Sequence, residues 1–130
     1  MDFYEASHSI FTAIQSAITP LIGTPEAAVI TGNGADGTPT KYIDKIAEDI
    51  AVSVIREERL CHLLISEEAG KVDIGGNTGT IFLDPVDGTY NALMNIPFFA
   101  VSLAYVKDGN LKEGFVGNLS NGDIFTAKRG

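Results

Sequence analysis

Ile81-Phe82-Leu83-Asp84-Pro85-Val86-Asp87-Gly88-Thr89 passes from apolar packing to polar chemistry within nine residues. Ile81, Phe82 and Leu83 read as a buried strand. The strand runs into Asp84, and Pro85 is expected to end its ladder pairing. Asp87 follows three residues after Asp84, with Gly88 and Thr89 directly behind it. Two carboxylates leaving one strand end can point at a single spot, where they repel unless a cation lies between them. Hard oxygen donors suit Mg²⁺, Mn²⁺ or Ca²⁺. Gly88 permits close backbone approach to a ligand, and Thr89 offers a hydroxyl. The same residues also fit a plain hairpin, because Asp-Pro and Asp-Gly are both turn dipeptides between apolar runs.

Composition narrows the classes. A chain of 130 residues makes one domain with room for a core. No run of eighteen apolar residues occurs, so no membrane-spanning helix is expected. Asp2 and Glu5 stand where a secretory signal would carry basic residues, and the lone Cys61 suits a reducing compartment. A cytoplasmic protein is the expectation. The formal charge of −8 disfavours nucleic acid and anionic membranes as partners. A phosphorylated substrate would be repelled too, unless bound cations reverse the local field.

Along the chain, residues 2 to 18 predict an amphipathic helix. Phe3, Ile10, Ala13, Ile14, Ala17 and Ile18 form its stripe, Asp2 its cap, and Thr19-Pro20 its end. Residues 21 to 38 predict a loop region with a short strand at 27 to 31. Gly32, Gly34 and Gly37 fit the pattern G-x-G-x-x-G of dinucleotide binders, but Thr38 and Pro39 intervene before any helix. A glycine loop carrying Asp36 and Thr38 is the preferred reading. Thr38 as N-cap and Pro39 at the first helical position predict a second helix over 39 to 57. Its buried stripe would be Ile43, Ile46, Ala47, Ile50 and Val54, with Asp44 beside it and Lys45, Glu48, Asp49, Glu57 and Glu58 on a solvated face.

Leu60 to Ser66 predicts a strand with Glu67 and Glu68 at its exit, and residues 69 to 79 a glycine-rich loop. His62 and Cys61 are strand neighbours that face opposite ways, so they cannot chelate one ion together. Tyr90 to Asn95 allows one or two helical turns whose N-terminus, at Gly88-Thr89, favours an anion. Strands are expected over 98–107, 113–119 and 123–128, separated by turn signals at Asp108-Gly109-Asn110 and Asn121-Gly122. Two helices followed by mostly antiparallel strands make an α+β plan, the helices packed on the sheet. A sheet edge left bare near Ile124 and Phe125 would invite pairing with another chain.

These residues carry a resemblance. Glu67-Glu68, then Leu83-Asp84-Pro85-Val86-Asp87-Gly88-Thr89 with Asn91, resembles the inositol monophosphatase family. The block Gly34 to Asp44 looks like the archaeal branch, whose members hydrolyse inositol 1-phosphate and fructose 1,6-bisphosphate. Ile96-Pro97-Phe98 and Thr126 to Gly130 match as well. The resemblance implies the amino-terminal part of a layered α/β/α/β/α sugar-phosphatase fold, with the carboxy-terminal half absent from residues 1–130.

It implies Mg²⁺ as cofactor, with Mn²⁺ as a substitute. Glu67, Asp84 and the carbonyl of Val86 would hold the first ion, and Asp84 with Asp87 the second. Asp44 and Thr89 would orient or deprotonate the attacking water, with Glu68 a partner near that water. Gly88 and Thr89 would bind the phosphate of a small sugar or inositol substrate, beside Asp87. Asp36, in the mobile loop with Gly37 and Thr38, would offer a ligand to a third ion. The family's tendency to dimerise implies a homodimer.

Two ions roughly 3.5–4 Å apart suit in-line displacement at phosphorus, and positioning dominates such chemistry. The family's second half supplies a further aspartate for the second ion and much of the alcohol pocket. This chain alone is therefore expected to be inactive or nearly so. Two alternatives stand beside the phosphatase. One is a nucleotide-binding module built on Gly32, Gly34 and Gly37; the other is a non-catalytic half that pairs with a second chain.

Overall fold

A computed structural model describes residues 1–76 and 78–130; Asn77, inside the segment expected to be loop, lies outside the described residues. Helix α1 spans Phe3–Ile18. Asp2 caps it as expected, its side chain accepting from the Glu5 amide at 2.8 Å while Glu5 accepts from the Asp2 amide at 3.2 Å. Phe3, Ala6, Ile10, Phe11, Ile14 and Ile18 are buried. Ala13, placed in the stripe from sequence, is exposed, and Phe11 takes the core position instead. The Phe11 ring lies so close to Gly117 that a Cβ there would sit 2.3 Å from Cδ1.

The region after α1 departs from expectation. Residues Glu26–Ala28 form a 3-10 turn, and strand β1 is Ile30–Asn33. Strand β2, Pro39–Lys41, returns antiparallel to it, with Asn33 opposite Pro39. Thr38 and Pro39 therefore do not open a helix. Pro39 starts a strand, a place it tolerates because no ladder donor is required of it. Helix α2 spans Tyr42–Glu57 and is capped by Lys41 without a side-chain bond.

The main sheet has six strands: β3 (Leu63–Ser66), β4 (Gly70–Asp73), β5 (Thr80–Asp87), β6 (Ala100–Lys107), β7 (Asn110–Asn118) and β8 (Ile124–Lys128). Their spatial order is β4-β3-β5-β6-β7-β8. Only β3 and β5 run parallel among the described pairings. Strand β4 falls inside the segment expected to be loop. It pairs with β3 through a three-residue turn, and Gly70 adopts φ +73°.

One face of this sheet is covered by α1 and α2, giving the expected α+β architecture. Leu64, Ile81, Leu83, Val101, Leu103 and Phe115 point into that core. The opposite face is open, and Phe82, Val116 and Phe125 are 45%, 40% and 63% exposed on it. No helix among the described residues is long and apolar enough to cross a membrane.

Candidate active site

The site forms where β3 and β5 end. Their parallel register sets Ser66 beside Leu83, so the next residues, Glu67 and Asp84, leave side by side. The Glu67 amide donates to the Leu83 carbonyl at 3.1 Å and ties the two exits together. Ile65, Glu67, Phe82, Asp84, Ser102 and Ala104 line one groove of about 280 Å³ on the open face of the sheet.

Asp87 joins them through an irregularity in β5. Strand alternation would send residues three apart to opposite faces. Asp84 pairs with Ser102 and Asp87 with Ala100, three steps against two, so β5 carries one extra residue. Such a bulge re-aims the side chains beyond it. Ser102 and Ala100 share a face of β6, and the bulge brings Asp84 and Asp87 to that same face. Pro85 lies in the bulge and does not end the strand, which continues to Asp87.

Electrostatics follow from this placement. Asp84 is half-buried and its carboxyl is pushed up to about 8, by burial first, then by a hydrogen bond with Glu67 and the negative charges of Glu67, Asp87 and Asp44. No basic group contributes to that balance. Among the described residues the ion pairs are Met1 with Glu58 and Lys45 with Asp49, neither in this region. The donors here are carboxylate oxygens, the chemistry of a hard divalent ion, and the uncompensated repulsion around Asp84 is what such an ion relieves. Among the described residues no three His, Cys, Asp or Glu side chains are already gathered as a complete ligand set. The convergence is that of neighbouring carboxylates.

Helix α2 supplies Asp44, 4% exposed. Burial raises its pKa against the opposing effect of the Thr89 hydroxyl. That hydroxyl reaches Asp44 Oδ1 at 2.7 Å and the Val86 carbonyl oxygen at 3.1 Å, and its single hydrogen serves one acceptor at a time. Thr89 opens the short helix α3, Thr89–Leu93, behind Gly88 at φ +95°. A Cβ on Gly88 would fall 2.8 Å from the Phe98 carbonyl oxygen, so glycine is required there twice over.

Glu68 is half-buried, and burial raises its pKa against the hydrogen bond from Thr40. The Thr40 hydroxyl donates to Glu68 Oε2 at 2.7 Å, and the Ala35 amide donates to the Glu68 carbonyl at 2.9 Å. The tip of the β1–β2 hairpin is thus seated on Glu68. Asp36, at that tip, is exposed and held by its own turn. It accepts from the Thr38 hydroxyl at 2.7 Å and the Thr38 amide at 3.0 Å, and the hydroxyl bond is the main cause of its lowered pKa. Gly32, Gly34 and Gly37 belong to this hairpin, whereas the dinucleotide pattern needs a glycine loop opening straight into a helix.

Two residues escaped the sequence reading. Thr40 falls inside the segment expected to be helix without being singled out, and Glu48 is expected on the solvated face of that helix. Glu48 is in fact 6% exposed. It accepts from the Ser66 hydroxyl at 2.7 Å and from the Ala69 amide at 2.9 Å. The signal was its spacing, four residues after Asp44 and one after Ala47, on the helix face that buries Ile43, Ala47, Ala51 and Ile55.

Comparison with known proteins shows the family. The family model described as the inositol monophosphatase family matches residues 3–130. The chain belongs to the inositol monophosphatase family. It is 44% identical over 130 residues to a fructose-1,6-bisphosphatase/inositol-1-monophosphatase of Methanothermobacter thermautotrophicus, covering 90% of this chain and 46% of that protein. It is 40% identical to a bifunctional NADP phosphatase/NAD kinase of Methanococcus maripaludis, over 100% of this chain and 26% of the relative.

Among solved structures, an inositol monophosphatase–fructose 1,6-bisphosphatase superposes with TM-score 0.91 at 28% identity, over 100% of this chain and 50% of that one. A Pyrococcus horikoshii protein with similarities to inositol-1 monophosphatase gives TM-score 0.83 at 30% identity, over 100% and 49%. This inositol monophosphatase family chain spans about half the length, or less, of these relatives.

Proposed function

We propose that this chain carries the cation-binding and water-activating part of a divalent-metal-dependent phosphomonoesterase. The observation that supports it most directly is the exit of Glu67 and Asp84 from parallel neighbours, with Asp87 bulged onto their face. Glu67, Asp84, Asp87 and the carbonyl of Val86 are the residues that would hold the ions, Mg²⁺ in the first instance and Mn²⁺ as a substitute. When bound, the ions would acidify water and neutralise charge on the phosphoryl and leaving oxygens.

The chain's own groups account for the rest. Asp44 accepts from the Thr89 hydroxyl at 2.7 Å, which leaves the lone pairs of that oxygen free to accept from a water. An attacking water donating to Thr89 would be oriented there, with its proton passed toward the carboxylates. The raised pKa of Asp44 suits a proton acceptor better than a solvated aspartate would. The first amides of α3, at Gly88 and Thr89, are suited to a phosphate oxygen. Glu68 stands next in sequence to Glu67, bonded to the hairpin through Thr40 and Ala35, and would be a partner near the same water. Asp36 and Thr38 would join only if the hairpin tip released their mutual bonds.

The substrate class is a small phosphate monoester, inositol 1-phosphate or fructose 1,6-bisphosphate. A relative named as an NADP phosphatase widens that class to a nucleotide 2′-phosphate. Calorimetric titration of Mn²⁺ tests the reading: the chain binds it and an Asp84→Asn variant does not. Absence of binding at millimolar Mn²⁺ would sink the proposal. Phosphate release by this chain alone is expected to be negligible, because a further ligand for the second ion and the alcohol pocket belong to the rest of the family's domain.

A further inference from the structure

Glu67 and Glu68 sit in a turn of three residues, 67–69, between β3 and β4. A turn this short and exposed is a poor mount for a metal ligand unless something fixes it, because a ligand site must be held to a fraction of an ångström. The residue flanking the pair on one side is Ser66, and on the other Ala69. Both donate to the same oxygen, Glu48 Oε2, at 2.7 and 2.9 Å. Glu48 thus grips the turn at both ends from the inside of the molecule. Its neighbours on the buried stripe of α2 are Ala47, Ala51 and Ile55, so Glu48 is the polar member of an otherwise apolar stretch of that stripe. A buried carboxylate needs hydrogen-bond partners, and the two it has are the residues on either side of the Glu67–Glu68 pair.

We propose that Glu48 is a positioning residue that fixes the Glu67–Glu68 turn so that Glu67 meets Asp84. It touches neither substrate nor ion; it acts through Ser66 and Ala69. The inference rests on the metal-dependent reading of Glu67 and Asp84 given above. It predicts that hydrogen-bond acceptance at Glu48, rather than its charge, sets the affinity of the site.

The test compares the unaltered chain with Glu48→Gln, Glu48→Leu, Ser66→Ala and a packing control, Ile55→Val, on the same helix stripe. Two quantities are read at a temperature where circular dichroism shows each variant folded: the dissociation constant for Mn²⁺ alone, and the hydrogen-exchange rate of the Ala69 amide. Outer partners of metal ligands are worth roughly 10- to 100-fold in affinity. Glu48→Leu is therefore expected to weaken Mn²⁺ binding by about 10-fold or more and to speed Ala69 exchange by a similar factor. Glu48→Gln keeps an acceptor oxygen and stays within about 3-fold of the unaltered chain on both readouts, as does Ile55→Val.

If Glu48→Leu does not fold, Ser66→Ala carries the test, with an expected loss of about 3- to 10-fold. Unchanged Mn²⁺ affinity in Glu48→Leu or Ser66→Ala, or an equal loss in Ile55→Val, would overturn the positioning role and leave the phosphatase reading standing. Failure of the unaltered chain to bind Mn²⁺ overturns the phosphatase reading, and this role with it.

Discussion

Helix α2 secures two strand exits in the same way and to different ends. At the end of β3, Glu48 takes the Ser66 hydroxyl and the Ala69 amide; at the end of β5, Asp44 takes the Thr89 hydroxyl. The two carboxylates stand one helical turn apart, and both are buried. Glu48 holds two protein donors on a single oxygen. Asp44 has one side-chain donor, lies near the negative charge of Glu67, and is held at a raised pKa chiefly by burial. Asp44 accepts from the Thr89 hydroxyl and from backbone at Lys41, and it does so beside other acids, where a carboxylate favours a proton or a cation. The two acids differ in what their donors belong to: those of Glu48 flank the Glu67–Glu68 turn, whereas the side-chain donor of Asp44 is Thr89, behind Asp87 and Gly88.

The largest expected effect concerns the acids on the sheet side. Asp84→Asn should lower Mn²⁺ affinity by more than about 100-fold, beyond the cost of losing an outer partner. The same change should raise the melting temperature of the metal-free chain at pH 8, since it removes the crowded charge. Calorimetry of both binding and unfolding reads this pair. A destabilised Asp84→Asn variant would mean that the acids near β5 are structural after all.

Next comes the contrast within α2. Glu48→Leu leaves two donors without their acceptor and should cost about 2–4 kcal/mol in denaturant unfolding. Asp44→Asn keeps an oxygen for Thr89 and sheds a buried charge, so it should stay within about 1 kcal/mol of the unaltered chain. Equal losses in the two variants would erase the distinction drawn between them.

A third effect is pH. Asp84 has its pKa raised from 3.8 to about 8. Between those values the folded chain binds a proton that the unfolded chain releases, so folding stability falls as pH rises across the window. Asp44 and Glu68, also raised, act in the same direction. Urea midpoints of the metal-free chain should decline from about pH 4 to pH 8, and saturating Mn²⁺ should flatten the slope by stabilising the ionised form. The smallest effect is Thr40→Val, which removes one hydrogen bond to Glu68. It should cost about 1 kcal/mol and loosen the seated hairpin, visible as faster exchange of the Ala35 amide.

Much of this was legible in the residues. The period of Ile10, Ile14 and Ile18 and the cap at Asp2 defined α1, and Asp108-Gly109 and Asn121-Gly122 marked the turns bounding β7. The acidic run from Asp84 to Asp87 was visible because its residue types are unusual behind an apolar strand. Other features were not. Pro39 fits a helix start and a strand start equally well, and only the pairing of Asn33 with Pro39 distinguishes them. Glu48 reads as a surface acid because charge alone suggests solvent. It is buried because Ser66 and Ala69, some twenty residues away, present donors to it.

Local chemistry thus determined the two long helices, the turns on either side of β7 and the identity of the acidic residues, since caps, turns and apolar periods act within a few positions along the chain. Tertiary structure decided which acids meet. The parallel register of β3 with β5 and the extra residue in β5 bring Glu67, Asp84 and Asp87 to one face. Neither can be read from spacing, because strand pairing joins segments whose separation in sequence carries no record of their register.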